Sequence, residues 1–394
     1  MKKKVVIGLS GGVDSGVAAY LLKKQGYEVH ALFMINWKNS SVTLSGDCTW
    51  EEDQLVAQMV AKQLDIPLHV VDSSKRYMTY VVDYMFEEYS KGRTPNPDVL
   101  CNREIKFEIF NQYANELGAD FVATGHYCRR DTVIGEDGKE YSRLLAGVDP
   151  NKDQSYFLCQ MSQEQLKNVL FPIGDIIKPE VRKIAAEINL ACAKRKDSQG
   201  ICFVGKVDLP IFLQQKLKSK EGNIVEVTDD AFVYRNRHDN QDDYRALSKP
   251  YIYTEDDGFI IGKHIGAQYY TVGQRKGLNV GGHKEPVYVL HTDTSTNTIY
   301  IGMGDNHPGL FRKALFIRKD EIHQIRPDRL LQVGQRRRYK VRIRYRQPLE
   351  DAELIMEEEG LYILFDRPQK SITPGQFAAW YNSDELEGSG VIFC

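Results

Sequence analysis

Val5-Val6-Ile7-Gly8-Leu9 runs without a break into Ser10-Gly11-Gly12-Val13-Asp14-Ser15, and a helix-like stretch follows over residues 16–25. The chain therefore opens as a strand, a glycine turn and a helix. Paired glycines let the backbone approach an anion closely, Ser10 and Ser15 offer hydroxyls, and the first-turn amides of the helix direct partial positive charge at the turn. This is a phosphate-binding architecture. It lacks the Gly-Lys-Ser/Thr ending of a Walker loop and the spaced glycines of a dinucleotide fold.

The same alternation continues to about Leu190. Short apolar runs at 29–34, 68–71 and 121–125 are separated by amphipathic stretches such as 51–64. This predicts an α/β unit whose parallel sheet is covered by helices on both faces. Ligands of such sheets bind beyond the carboxyl ends of the strands, where the Ser10 turn and Gly125-His126 are both expected. After about Phe203 helical periodicity fades and short alternating strands take over. The expected units are 1–205, a small mixed unit over 206–303, and a β-barrel-like unit over 304–394. Residues 227–253 are polar and charge-rich and are expected to form an exposed insertion without chemistry.

With 394 residues the chain is long enough for two or three domains. A formal charge of -2 and a pI near 6.5 exclude a globally cationic nucleic-acid binder, so a polyanionic partner must be met by a local patch. No apolar run is long enough to span a bilayer, and the stretch after Met1-Lys2-Lys3-Lys4 is too short for a signal peptide. A soluble, cytoplasmic chain with no membrane partner is expected. Seven cysteines stand at 48, 101, 128, 159, 192, 202 and 394 without a CxxC pair, which indicates neither a disulfide scaffold nor a zinc ribbon. Most are expected to be small core residues.

In residues 338–346, Arg-Tyr-Lys-Val-Arg-Ile-Arg-Tyr-Arg, every even position is cationic and every odd one apolar or aromatic. That period of two predicts a strand with one buried face and one basic ladder, which, with Arg336 and Arg337, is expected to meet successive phosphates.

Two cysteines stand in contexts that core packing does not explain. Cys101 follows Thr94-Pro95-Asn96-Pro97-Asp98-Val99-Leu100, whose prolines are expected to forbid helix before Leu100 and so to place it near a helix N-terminus, with Arg103 and Lys106 close by. A helix dipole and cations there favour thiolate. Cys202 lies in Asp197-Ser198-Gln199-Gly200-Ile201-Cys202-Phe203-Val204-Gly205, a glycine-bracketed segment after Lys194, Arg195 and Lys196. Asp98, three residues before Cys101, is a candidate general acid or base, or alternatively a turn or N-cap carboxylate.

The order Ser-Gly-Gly-x-Asp-Ser resembles the PP-loop of ATP pyrophosphatases. Together with TPNPDVLCNREIKF at 94–107, ATGHY at 123–127, KDQSYFL at 152–158, DSQGICFVG at 197–205, YTVGQRKGL at 270–278 and PGQ at 374–376, it makes nearly the whole chain resemble bacterial tRNA-specific 2-thiouridylases. The resemblance implies an N-terminal parallel-sheet PP-loop domain like that of the adenine nucleotide alpha hydrolases, a small mixed central domain and a C-terminal β-barrel. It further implies ATP-dependent thiolation of the wobble uridine in tRNAs for glutamate, glutamine and lysine, with sulfur delivered as a persulfide by a cysteine desulfurase or sulfur carrier.

By the resemblance, Gly8, Leu9, Ser10, Gly11, Gly12, Val13, Asp14 and Ser15 hold ATP, with Mg²⁺ bound through Asp14 or water, and Met34 and Gly125 line the adenosine pocket. Cys202 carries the persulfide and Cys101 is its partner. Either Cys101 releases hydrosulfide and forms a Cys101-Cys202 disulfide, or the terminal sulfur attacks the base directly. Asn96, Pro97 and Asp98 frame the flipped base. His126 touches AMP or RNA without transferring a proton. Lys152, Asp153, Gln154, Arg344, Tyr345 and Gln376 meet the anticodon loop, and of these Arg344 and Lys152 are the phosphate contacts that chemistry alone supports. The basic turn Gln274-Arg275-Lys276 is a further phosphate candidate. Two departures from the family pattern are the length of the 227–253 insertion and Asn279, which interrupts a glycine-rich tail.

Three rival readings predict different behaviour. A PP-loop ligase or amidotransferase acting on a small molecule needs neither Cys101 nor Cys202. A non-catalytic RNA-binding nucleotide sensor binds tRNA without releasing pyrophosphate. An iron-sulfur cluster on Cys101, Cys202 and a third cysteine is disfavoured by the wide cysteine spacing.

Overall fold

The computed structural model describes residues 2–38, 49–197, 208–235 and 243–393. Cys202 and residues 236–242 of the insertion lie outside the described residues. The first strands are β1 (Lys4–Gly8), β2 (Glu28–Ile35), β3 (Leu68–Asp72) and β4 (Phe121–Ala123), followed by β5 (Cys128–Ile134), β6 (Glu140–Ala146) and β7 (Val169–Leu170). Five of them form a sheet in the order β3-β2-β1-β4-β7, with every pair parallel.

Alternate residues of β1 enter two different cores. Val5 and Ile7 pack with Val13, Val17 and Leu22 of the helix Val13–Lys24, whereas Val6 packs with Leu32, Met34 and the helix Phe107–Glu116 on the other face. Both faces are covered, so the strand is apolar throughout rather than alternating. Each buried Val or Ile contributes roughly 1.5–3 kcal/mol. β1 is central, and its neighbours β2 and β4 lie on opposite sides, so the crevice at its carboxyl end is a topological switch point.

Strands β8 (Gly222–Glu226), β9 (Phe259–His264), β10 (Val287–Asp293) and β11 (Thr298–Met303) form a mixed sheet in the order β10-β11-β8-β9, because β11 and β8 run parallel. The remaining strands are β12 (Phe311–Arg318), β13 (Ile322–Gln324), β14 (Arg336–Arg342), β15 (Glu350–Met356), β16 (Gly360–Lys370), β17 (Phe377–Asn382) and β18 (Glu385–Val391). Apart from β13, which pairs with β18, they follow the order β12-β16-β15-β14-β17-β18, and Phe393 pairs back to Phe316 of β12, closing a barrel around Trp380, Phe365 and Val341.

Three features differ from the sequence expectation. The β5-β6 hairpin leaves the parallel sheet and joins the barrel by pairing β6 with β18, so the first and last parts of the chain share one sheet. The described parts of the 227–253 insertion are only partly exposed: residues 228–230, Phe232 and Ile252 face solvent as expected, whereas Val227, Leu247 and Tyr253 are buried, and Arg312 donates to the Ser248 carbonyl at 2.7 Å. The basic ladder has the predicted alternation, but β14 ends at Arg342, and acidic residues on neighbouring strands neutralise it. Arg336 pairs with Glu353 at 3.3 Å, Arg338 with Asp366 at 2.6 Å and Lys340 with Asp351 at 3.2 Å. That face is a solvated ladder of cross-strand ion pairs.

Candidate active site

The glycine loop leaves β1 at the switch point. Gly11 has φ +76°, and a Cβ there would strike the Asp53 carbonyl. A Cβ on Gly125, beyond β4, would lie 2.8 Å from the Ser15 nitrogen, so the β4 end packs directly on the loop. Ser15 Oγ donates to the Gly12 carbonyl and accepts from the Ser10 amide, each at 3.2 Å. The helix starts at Gly12 without a side-chain cap, so its first-turn N–H groups lack intrahelical partners and face the loop. This cradle fits the phosphates of ATP; Leu9 and Val13 are buried in one core of the sheet and Met34 in the core on its other face.

Asp14 of the loop is engaged by a cation and a hydroxyl from elsewhere in the chain. Lys178 Nζ lies 2.7 and 2.9 Å from its two oxygens, and the Tyr127 hydroxyl donates to Oδ1 at 2.7 Å. Among the described residues no group of three His, Cys, Asp or Glu side chains is placed to hold a metal. Lys178 also contacts Asp197 at 2.8 Å, and Asp197 meets Lys152 at 2.6 Å. Burial raises the Asp197 carboxyl, but hydrogen bonds from Lys152 and Lys178 outweigh it and hold the group ionised well below the usual range. Lys178, Tyr127 and Asp197 were missed as site residues from sequence. A signal existed in Lys178-Pro179, which puts a cation at the positive end of a helix, where it needs carboxylate partners.

A second cavity, about 490 Å³, is lined by all three parts of the chain: Asn96, Asp98 and Phe157 from the first, Thr271 to Gln274 from the middle, and Arg344, Tyr345, Arg346, Thr373 and Gln376 from the barrel. The Phe157 and Tyr345 rings stand 4.2 Å apart as one wall, a surface on which a base can stack. Arg344 Nη2 donates to the Ser371 carbonyl and Thr373 Oγ1 at 2.9 and 2.8 Å. Gly273 and Gly277 have φ of +84° and +80° and form the predicted turn, leaving Arg275 and Lys276 exposed. Asn279 adopts φ +53°, a left-handed conformation that asparagine tolerates, so its departure from glycine is accommodated.

Asn96 caps the helix by accepting from Val99 N at 3.3 Å, with Pro97 at its first position. That removes the N-cap role considered for Asp98, which lines the cavity from the first turn instead. Cys101 follows one turn later on the same helix face, where the run continues as a π-helical turn, Cys101–Lys106. Its side chain is fully buried and does not line the cavity. Arg103 is engaged by Glu104 at 2.6 Å and Gln160 at 2.9 Å. Cys128, Cys159 and Cys192 are core residues, and burial pushes the Cys159 thiol up to about 12.

The remaining predicted contacts divide. His126 is half-buried, 2.8 Å from Thr124 Oγ1, and burial together with Lys106 drops its pKa well below the ordinary range, in keeping with a neutral ring. Gln154 accepts from the Tyr127 amide at 3.0 Å. Asp153 is buried, accepts from Gly147 N and Ser155 N, and faces Arg342 at 3.2 Å, so it shapes the turn from inside.

Three family models match the chain in order: one described as tRNA methyl transferase HUP domain over residues 3–206, one as tRNA methyl transferase PRC-barrel domain over 242–303, and one as aminomethyltransferase beta-barrel domain over 316–392. The tRNA-specific 2-thiouridylase MnmA of Christiangramia forsetii is 59% identical over 394 residues, covering 99% of this chain and 100% of that protein. The chain belongs to the tRNA-specific 2-thiouridylase family. Thiouridylases of the same description from Flavobacterium johnsoniae and Karelsulcia muelleri are 57% and 44% identical, each over 99% of this chain and 100% and 99% of their own lengths. The HUP match covers the glycine loop, Asp98 and Cys101 of this thiouridylase-family chain, and the barrel match covers Arg344, Tyr345 and Gln376. No helix among the described residues is long and apolar enough to cross a membrane.

Proposed function

We propose that this chain thiolates the 2-position of the wobble uridine in tRNAs for glutamate, glutamine and lysine, in the cytoplasm, using ATP and a persulfide supplied by a cysteine desulfurase or sulfur carrier. The observation that carries this reading is the three-part cavity, with Asp98 in its wall and Cys101 one helical turn further on. A uracil carbonyl oxygen is a poor leaving group. ATP supplies the adenylyl group that makes it a good one, with pyrophosphate released from the Gly8 to Ser15 loop.

The flipped uracil sits between Asn96, Pro97 and the Phe157-Tyr345 wall, with Asp98 positioned to exchange a proton with the base or the incoming sulfur. Arg344 and Arg346 receive the flanking RNA phosphates, and Lys152 acts as a further phosphate contact. Cys202 brings the sulfane sulfur. Attack by the Cys101 thiolate on Cys202 releases hydrosulfide, which displaces AMP from the ring carbon. The resulting disulfide then takes two electrons from a thiol reductant before the next turnover. The alternative, direct attack by the terminal persulfide sulfur, uses the same residues.

The test is to supply purified protein with unmodified glutamate tRNA, ATP, Mg²⁺, cysteine and a cysteine desulfurase, and to digest the tRNA for nucleoside mass spectrometry. The expected product is 2-thiouridine, formed only with ATP. ATP consumption without sulfur in any tRNA sinks the reading in favour of a small-molecule ligase.

A further inference from the structure

Lys178 opens the helix Lys178–Glu187, and its side chain is 9% exposed. A cation in a first helical turn lies against the positive end of the dipole, and a buried ammonium needs opposite charge around it. Asp14 and Asp197 meet both needs, with Nζ 2.7 and 2.9 Å from the Asp14 oxygens and 2.8 Å from Asp197 Oδ1. Asp14 belongs to the glycine loop. Asp197 is also held by Lys152 at 2.6 Å and Arg182 at 2.5 Å. The Lys178 amide donates to Asp149 at 2.9 Å, which fixes where the side chain starts. Three cations, Lys178, Lys152 and Arg182, and three carboxylates, Asp14, Asp197 and Asp149, thus form one charge-balanced network anchored at one end in the phosphate cradle.

We propose that Lys178 is a positioning residue for the nucleotide: it orients Asp14 in the glycine loop and offers a local ammonium to the triphosphate, while Asp197 limits how much of that charge is available. This rests on the reading of the loop as an ATP site. Its consequence is a pair of effects with opposite sign. Removing the Lys178 charge leaves the Asp14 carboxylate beside the phosphates, which repels them. Removing the Asp197 charge leaves Lys178 less neutralised, which attracts them. A purely structural pin predicts the same sign for both, since either change breaks the same ion pair.

The experiment measures dissociation constants of ATP with Mg²⁺, and of adenosine, by equilibrium dialysis for the full chain and for Lys178→Met, Lys178→Arg and Asp197→Asn. We expect Lys178→Met to weaken ATP binding by about tenfold or more and Asp197→Asn to tighten it by about threefold, both effects shrinking with added salt. Lys178→Arg restores most of the affinity, and adenosine is unaffected throughout. Shifts of ATP affinity in the same direction, or equal shifts for adenosine, overturn the proposal. If Lys178→Met does not fold, Asp197→Asn decides alone, and weaker ATP binding in it is the contrary result. Wild-type protein that binds no ATP overturns the functional reading itself.

Discussion

Gln376 donates its side-chain amide to the carbonyl oxygens of Thr94 and Pro95 at 2.9 and 3.3 Å, tying the barrel to the segment that leads into Asp98 and Cys101. The Asn96 amide returns a 3.4 Å bond to Gln376 Oε1, and Thr94 N donates to the Pro374 carbonyl at 2.8 Å. The cavity wall is therefore completed by residues from opposite ends of the chain.

Replacing Gln376 with alanine leaves those carbonyls without a partner, at a cost of about 1–3 kcal/mol. Thermal unfolding should show the loss, and thiolation should slow while ATP affinity stays unchanged. Unaltered thiolation would mean that the barrel does not hold the catalytic segment.

Gly125→Ala places a methyl group 2.8 Å from the Ser15 nitrogen. The loop has to shift to make room, so ATP binding should weaken by about tenfold, a loss of about 1.4 kcal/mol, with the circular dichroism spectrum preserved. Normal ATP affinity would remove Gly125 from the nucleotide site.

Asp98→Asn keeps the size of the side chain and removes its proton-transfer capacity. Thiolation should fall by about a hundredfold or more, while tRNA affinity changes little. A matching loss of tRNA affinity would make Asp98 a binding residue instead.

Local chemistry explains what was legible in the sequence. The glycine loop and the parallel alternation depend on neighbours a few residues apart, and each stands where expected; the helix before Cys101 instead starts at Pro97, earlier than the expected limit at Leu100, because proline is tolerated in a first helical turn and Asn96 caps it. Partners supplied from far along the chain were not legible. The cations of β14 met Glu353, Asp366 and Asp351 on adjacent strands, and Asp14 met Lys178, 164 residues away. The β5-β6 hairpin has ordinary strand periodicity, which carries no information about which sheet it joins.

Six described histidines, at 69, 126, 264, 291, 307 and 323, have pKa values lowered chiefly by burial. Below about pH 6.5, the ordinary histidine value, the unfolded chain binds protons that the folded chain resists. Stability should therefore fall as the pH drops below about 6.5 and be recovered as it rises back. A melting temperature lower at about pH 5.5 than at about pH 7.5 is the expected result; equal or higher values would show that these histidines do not control acid stability.

The account turns on Cys101 acting after the uridine has been activated. The decisive comparison is wild type against Cys101→Ser in one reaction with unmodified glutamate tRNA, ATP and a persulfide donor, following tRNA-dependent pyrophosphate release and 2-thiouridine together. The variant should release pyrophosphate and form no 2-thiouridine. If it forms 2-thiouridine at the wild-type rate, Cys101 has no part in sulfur transfer and the central claim fails.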